Sequence, residues 1–209
     1  YYYLTGDDRA RDVIEEAGNY FLSEKIHYFN HPDIAPQRTL ANVLWGDVVL
    51  YELTQDERYK KAADKWANLF YQGQKDDGSW ADNYNPVARK WEGKGNKLFM
   101  RDYTLPALIA YHQLTENKAV ADTITRATDY VIKDEEYLGY FDASAYSYWL
   151  TGDKKYLDNI KKRIEYTVKR QRKSTDPIWD GMFLEKAYYL RVMDLLYKMP
   201  YAFEVLENE

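Results

Sequence analysis

Four short stretches of this 209-residue chain share one pattern: Leu4-Thr5-Gly6-Asp7, Leu53-Thr54-Gln55-Asp56, Leu114-Thr115-Glu116-Asn117 and Leu150-Thr151-Gly152-Asp153. A repeat of this kind constrains the fold strongly, because each copy must do the same local job. A glycine can take the left-handed conformation that ends one helix, and the aspartate after it can cap the start of the next. The motif therefore predicts a helix-turn-helix joint. Glutamine or glutamate at the glycine position is less suited to it, so strain or a different turn is expected at the two middle joints.

The residues around each joint keep register. Two positions before the Leu stand Tyr2, Tyr51, His112 and Tyr148. Six positions after it come Ala10, Tyr59, Val120 and Tyr156; ten after, Ile14, Ala63, Ile124 and Ile160; sixteen after, Tyr20, Leu69, Tyr130 and Tyr166. These spacings repeat one helical face. Segments before the joints are apolar almost all round, as in Leu40, Ala41, Val43, Leu44, Trp45, Val48, Val49 and Leu50, which predicts helices buried on all sides. Segments after the joints are amphipathic: Tyr59, Ala62, Ala63, Trp66 and Phe70 oppose a face of lysine and aspartate.

Inner helix, tight joint, outer helix and long return loop together predict an all-α fold of the α/α toroid type. An open helical solenoid is the alternative, but tetratricopeptide arrays hold a period of about 34 residues. Here the copies begin 49, 61 and 36 residues apart. Insertions gathered in the return loops explain that variation, since those loops meet on the end of a toroid where ligands bind. The whole chain, 1–209, reads as a single domain with fewer helices than a closed ring of six hairpins requires. Its first residues read as the tail of an inner helix, so a fragment, or one domain of a longer protein, is expected.

Composition narrows the function classes. A net charge of −5 argues against non-specific nucleic-acid binding. With no cysteine there is no disulfide, no thiolate zinc site and no cysteine nucleophile. No apolar run is long enough to span a membrane. No leader is visible, and the cysteine-free composition fits an exported protein or a cytosolic one, with an extracellular or periplasmic place preferred. The 22 tyrosines and 6 tryptophans suit stacking on sugar rings, and they suit a helical core equally well.

The longest return segment, 71–99, is where chemistry is expected, because a segment of that length without periodicity in a compact domain is usually functional or disordered. Between residues 89 and 101, Arg89, Lys90, Lys94, Lys97 and Arg101 face a single acid, Glu92. Together with Tyr84 and Trp91 they predict an anionic ligand such as a uronate sugar, against the alternative of a solvated loop. Gln74-Lys75-Asp76-Asp77-Gly78-Ser79-Trp80 fits the Gln-x-x-Asp-Gly-x-Trp pattern of triterpene cyclases, where it staples outer helices. A structural turn with Trp80 near the rim, placed to pack or to stack on a sugar, is the reading favoured here.

Arg101, Asp102 and Tyr103 enter an inner helix directly from this loop. An arginine there can neutralise a substrate carboxylate, and a tyrosine or aspartate can move the proton, although Asp102 also suits an ordinary cap. Asp142 and Asp180 carry the same ambiguity, and Trp179 stands beside Asp180 as a further stacking candidate. His31, in the loop 27–38, is a candidate acid or base. His27 and His31 lie in a proline-bearing loop with no acidic third ligand at helical spacing, so no metal is expected, and no cofactor is called for. His112 suits a core or capping role. Hydrolases of this shape need one or two carboxylates, and β-elimination needs a base with a group to neutralise a uronate; the chain offers both sets.

The stretches "YYYLTGDDRARDVIEEAGNYF", "RTLANVLWGDVVLYELTQDERYKKAADKWANLF", "DDGSW", "FMRDYTLPALIAYHQLTE" and "YWLTGDKKYLDNI" resemble the six-hairpin glycosidase-like superfamily. The chain looks most like the C-terminal α/α toroid of proteins related to exo-rhamnogalacturonan lyase, and secondarily like the β-L-arabinofuranosidase-like toroids. The likeness runs from Tyr1 to about Lys198. It implies a carbohydrate-active domain, hydrolase or lyase, acting on an oligo- or polysaccharide such as a pectic glycan. The arabinofuranosidase-like enzymes use a zinc-held cysteine nucleophile, which this chain lacks. A non-catalytic glycan-binding toroid and a protein-interaction solenoid are the other expectations.

Overall fold

In the computed structural model each of the four repeats is a joint between helices: α1 (Tyr2–Thr5) to α2 (Asp8–Leu22), α3 (Gln37–Thr54) to α4 (Glu57–Gly73), α5 (Arg101–Thr115) to α6 (Lys118–Val131), and α7 (Phe141–Thr151) to α8 (Lys155–Lys169). A further helix, α9 (Tyr189–Glu207), follows. The structure describes residues 2–23, 34–95, 100–133, 139–171, 173–177, 180–181 and 189–207. Helix dominates, as expected, and the described residues also hold a small antiparallel sheet of β1 (Ala35–Pro36), β2 (Asn83–Asn85) and β3 (Lys90–Glu92).

The joints share one set of hydrogen bonds. In the α3–α4 joint Thr54 Oγ1 donates to the Leu50 carbonyl at 2.7 Å and accepts the Asp56 N–H at 3.2 Å. Asp56 then accepts the Arg58 N–H at 2.9 Å. Thr115 and Asn117 repeat this in the next joint, and Thr151 and Asp153 in the last. The left-handed residue closes each of these three turns by donating its N–H to the carbonyl four residues back. Gln55 at φ 58° and Glu116 at φ 53° sit in the same region as Gly152 at φ 69°. The glutamine and glutamate have therefore been forced into the glycine turn rather than replacing it with another, which costs roughly 1 kcal/mol each.

Cα packing divides the chain into two units, 1–124 and 125–209, with the boundary inside α6. In the first, α3 packs lengthwise on both α4 and α5. Leu40, Ala41, Val43, Leu44 and Val48 of α3 are buried, as are Leu105, Ala107 and Leu108 of α5. Each large apolar side chain so buried contributes roughly 1.5–3 kcal/mol. Helix α4 buries only one stripe, Tyr59, Ala63, Trp66, Ala67 and Phe70, and turns its lysines outward. Helix α3 is thus more deeply buried than α4, but Trp45 is half-buried and Val49 is 37% exposed. They line an open apolar groove of about 400 Å3 with Ile14 and Ala17 of α2, so α3 is not enclosed on every side.

In the second unit α7 packs against α8 and α9. Phe141, Ala145, Ile160 and Ala202 form its core, with Ile164 and Tyr166 against it. At the start of α7, Asp142 forms a buried ion pair with Lys198 of α9 at 3.7 Å.

Candidate functional site

In the first unit the sheet draws the return segments together. Ala35 pairs with Tyr84, and Pro36 with Asn83, so the residues leading into α3 are bonded to the hairpin that precedes α5. The Gln37 N–H donates to the Asp82 carbonyl at 2.9 Å, and the Gln37 amide reaches Thr104 Oγ1 at 3.0 Å. The N-terminal ends of α3 and α5 thus share one polar seam with the sheet.

The segment 74–80 closes on itself. Lys75 donates its N–H to the Ser79 carbonyl, Gly78 to Lys75, and Asp77 accepts the Ser79 N–H at 2.9 Å. Those Ser79 bonds hold the Asp77 carboxyl below the usual aspartate range. Gln74 donates to the Gly78 carbonyl at 3.0 Å and to the Thr123 carbonyl of α6 at 2.9 Å. Trp80 is fully buried, meets Phe70 edge-on at 6.0 Å, and donates its indole N–H to the Phe70 carbonyl at 2.7 Å. It offers no face to a ligand and acts as a strut for the turn.

Tyr84 and Trp91 are paired across β2 and β3, with ring centroids 5.6 Å apart. Both are half-buried. Trp91 lies on Phe70, and a side chain at Gly73 would collide with its indole, so the glycine makes room for the ring. Alternation puts Asn83, Asn85, Lys90 and Glu92 on the opposite face of the sheet. There Lys90 pairs with Glu92 at 3.1 Å and Asn85 donates to Glu92 at 3.3 Å. Arg89, at φ 52°, is exposed at the tip of the hairpin.

Of the acid–base candidates, Arg101 is fully buried and donates to the Gly95 carbonyl, holding the end of the loop. Asp102 is nearly buried, at 9% exposure, and Tyr103 is 37% exposed. Asp180 belongs to the second unit, where it accepts the Ser174 N–H at 2.9 Å. His31 and Trp179 lie outside the described residues. Of the candidates, Tyr84, Arg89 and Trp91 belong to the hairpin and Asp102 and Tyr103 to the first turn of α5, while Trp80 and Arg101 are buried as supports. Among the described residues no group of three His, Asp or Glu side chains is placed to hold a metal ion.

His112 is 6% exposed on α5, and burial pulls its pKa down, in keeping with a core position. Asp47, which no motif in the sequence marks, is 1% exposed in the middle of α3. Among the described residues neither of its oxygens makes a well-formed hydrogen bond. Burial pushes its pKa up to about 7, although the Trp66 indole and the Lys65 ammonium favour the charged form.

No family model, no curated protein and no solved structure matches the chain.

Proposed function

We propose that this chain is part of an α/α toroid of the six-hairpin glycosidase-like kind and acts on an acidic polysaccharide, as a hydrolase or a lyase. The observation that carries the reading is the gathering of two return segments into one sheet beside the N-terminal ends of α3 and α5. Loop clusters on one end of a rigid helical scaffold are where such domains carry their sites. On that end Asn83, Asn85 and Glu92 supply groups for sugar hydroxyls, Arg89 supplies an exposed cation, and Tyr103 with Asp102 are the groups able to move a proton.

The test is incubation of the chain with polygalacturonate and other uronate polysaccharides, following new reducing ends and the ultraviolet absorbance of an unsaturated product. Turnover lost in both Tyr103→Phe and Asp102→Asn supports the enzyme reading. Turnover unchanged in both variants removes these residues from the chemistry.

One observation favours a second reading, a glycan-binding domain without catalysis. The guanidinium of Arg101, the natural partner for a substrate carboxylate, is buried and engaged with Gly95. Saturable glycan binding with no turnover would select it.

A further inference from the structure

The basic residues of this acidic chain are concentrated in one place. Of its 29 lysines and arginines, nine fall between residues 154 and 173, together with two of its 34 acids. That stretch carries +7 and the rest of the chain −12. Most of it is α8, in the second unit, where a groove of about 480 Å3 runs along the helix. Lys155, Lys162 and Lys169 line it at intervals of seven residues, two turns apart, so they stand about 10 Å from one another on one face. Asp158, Asn159, Glu165 and Tyr166 fill the intervals.

We infer that this groove binds a sparsely charged, hydroxyl-rich polyanion, a carboxylated or sulfated polysaccharide, at a site separate from the sheet end of the first unit. The cations differ in how far they are engaged. Lys155 is held by Asp129 at 2.9 Å and Asp153 at 3.2 Å. Lys169 has only a loose, exposed pairing with Glu165 at 3.8 Å. Lys162 has no ion pair among the described residues. Lys162 and Lys169 are thus the anion-seeking groups, while the Asp158 and Glu165 carboxylates suit sugar hydroxyls. Tyr166, packed on the core formed by Phe141 and Ile160, supplies an apolar wall.

The spacing separates a glycan from a nucleic acid. Duplex DNA presents a charge about every 1.7 Å, and a surface that binds it needs cations close together without acids between them. Two carboxylates in the line of lysines oppose such a ligand. They are tolerated by a chain whose anionic groups are separated by neutral hydroxyl-bearing rings.

The inference stands whether or not the sheet end is catalytic, because its test reads binding and not turnover. The full chain is titrated with polygalacturonate, with a sulfated glycan, with neutral dextran and with a single-stranded oligonucleotide at one salt concentration. Binding to either anionic glycan and not to dextran is expected, weakened about tenfold or more in the double variant Lys162→Glu/Lys169→Glu. Lys61→Glu, a reversal on the exposed face of α4, should leave affinity unchanged. The milder pair Lys162→Gln/Lys169→Gln, with thermal melting checked, serves if the reversal disturbs folding. Equal loss in Lys61→Glu, or affinity unmoved in both lysine pairs, overturns the site. Oligonucleotide binding as tight as glycan binding overturns the assignment of the ligand.

Discussion

The side-chain amide of Gln74, at the end of α4, donates to the main-chain carbonyl of Thr123 in α6 at 2.9 Å. One side chain thereby ties the end of α4 to α6 across 49 positions of sequence, while its other bond, to Gly78, holds the turn that follows α4. Gln74→Ala removes both bonds, and the Thr123 carbonyl is left with its helical bond alone. A loss of about 1–3 kcal/mol is expected in urea unfolding, with the m-value unchanged. A loss within error would mean that water replaces the amide without cost.

The joints give a pair of opposite expectations. Glu116 holds φ 53° at the position that Gly152 occupies with φ 69°. Glu116→Gly should therefore stabilise the chain by roughly 0.5–1 kcal/mol, and Gly152→Gln should destabilise it by a similar amount. Thermal melting of the two variants against the parent checks both signs together.

Asp47 sets a pH dependence. Its folded-state pKa, about 7, lies above the ordinary aspartate value of 3.8, so between those values the folded chain holds a proton that the unfolded chain has released. Stability from this group is present at low pH and is lost as pH rises toward 7. Asp47→Asn, which stays neutral, should gain on the parent as pH increases. Its advantage at pH 8 should exceed that at pH 5 by on the order of 2–3 kcal/mol. Parallel unfolding curves for parent and variant across that interval would refute the assignment.

Trp80 and Trp91 should separate in their effects. Trp80→Ala opens a cavity in a fully buried position and breaks the bond to Phe70, with a loss of about 3–5 kcal/mol. Trp80→Phe keeps most of the volume and should cost far less. Trp91→Ala, at a half-buried site, should cost less than Trp80→Ala and should disturb the Tyr84 ring. Denaturation together with near-ultraviolet circular dichroism distinguishes them.

The joints were legible because their chemistry is local. A threonine hydroxyl and an aspartate carboxylate act on main-chain groups within a few residues, so four letters specify the turn. Asp47 was not legible for the opposite reason: in Trp45-Gly46-Asp47-Val48 nothing local distinguishes it from a solvated aspartate. Its environment is made by α4, through Trp66 and Lys65. The sheet is not legible because strands of two and three residues are too short to show alternation. Arg101 read as a ligand group from its charge, but the Gly95 carbonyl, six residues back, claims it. Trp80 was marked by its motif; only the packing against Phe70 distinguishes strut from stacking platform.

The three-stranded sheet has a consequence for how the loops behave. Ala35 and Tyr84 are 49 positions apart yet share one ladder, so β1 and β2 hold one another in place. Amides on both should exchange with solvent as one cooperative group, slower together and faster together. A change that shifts the register of β1 will therefore be felt at β2, far along the chain.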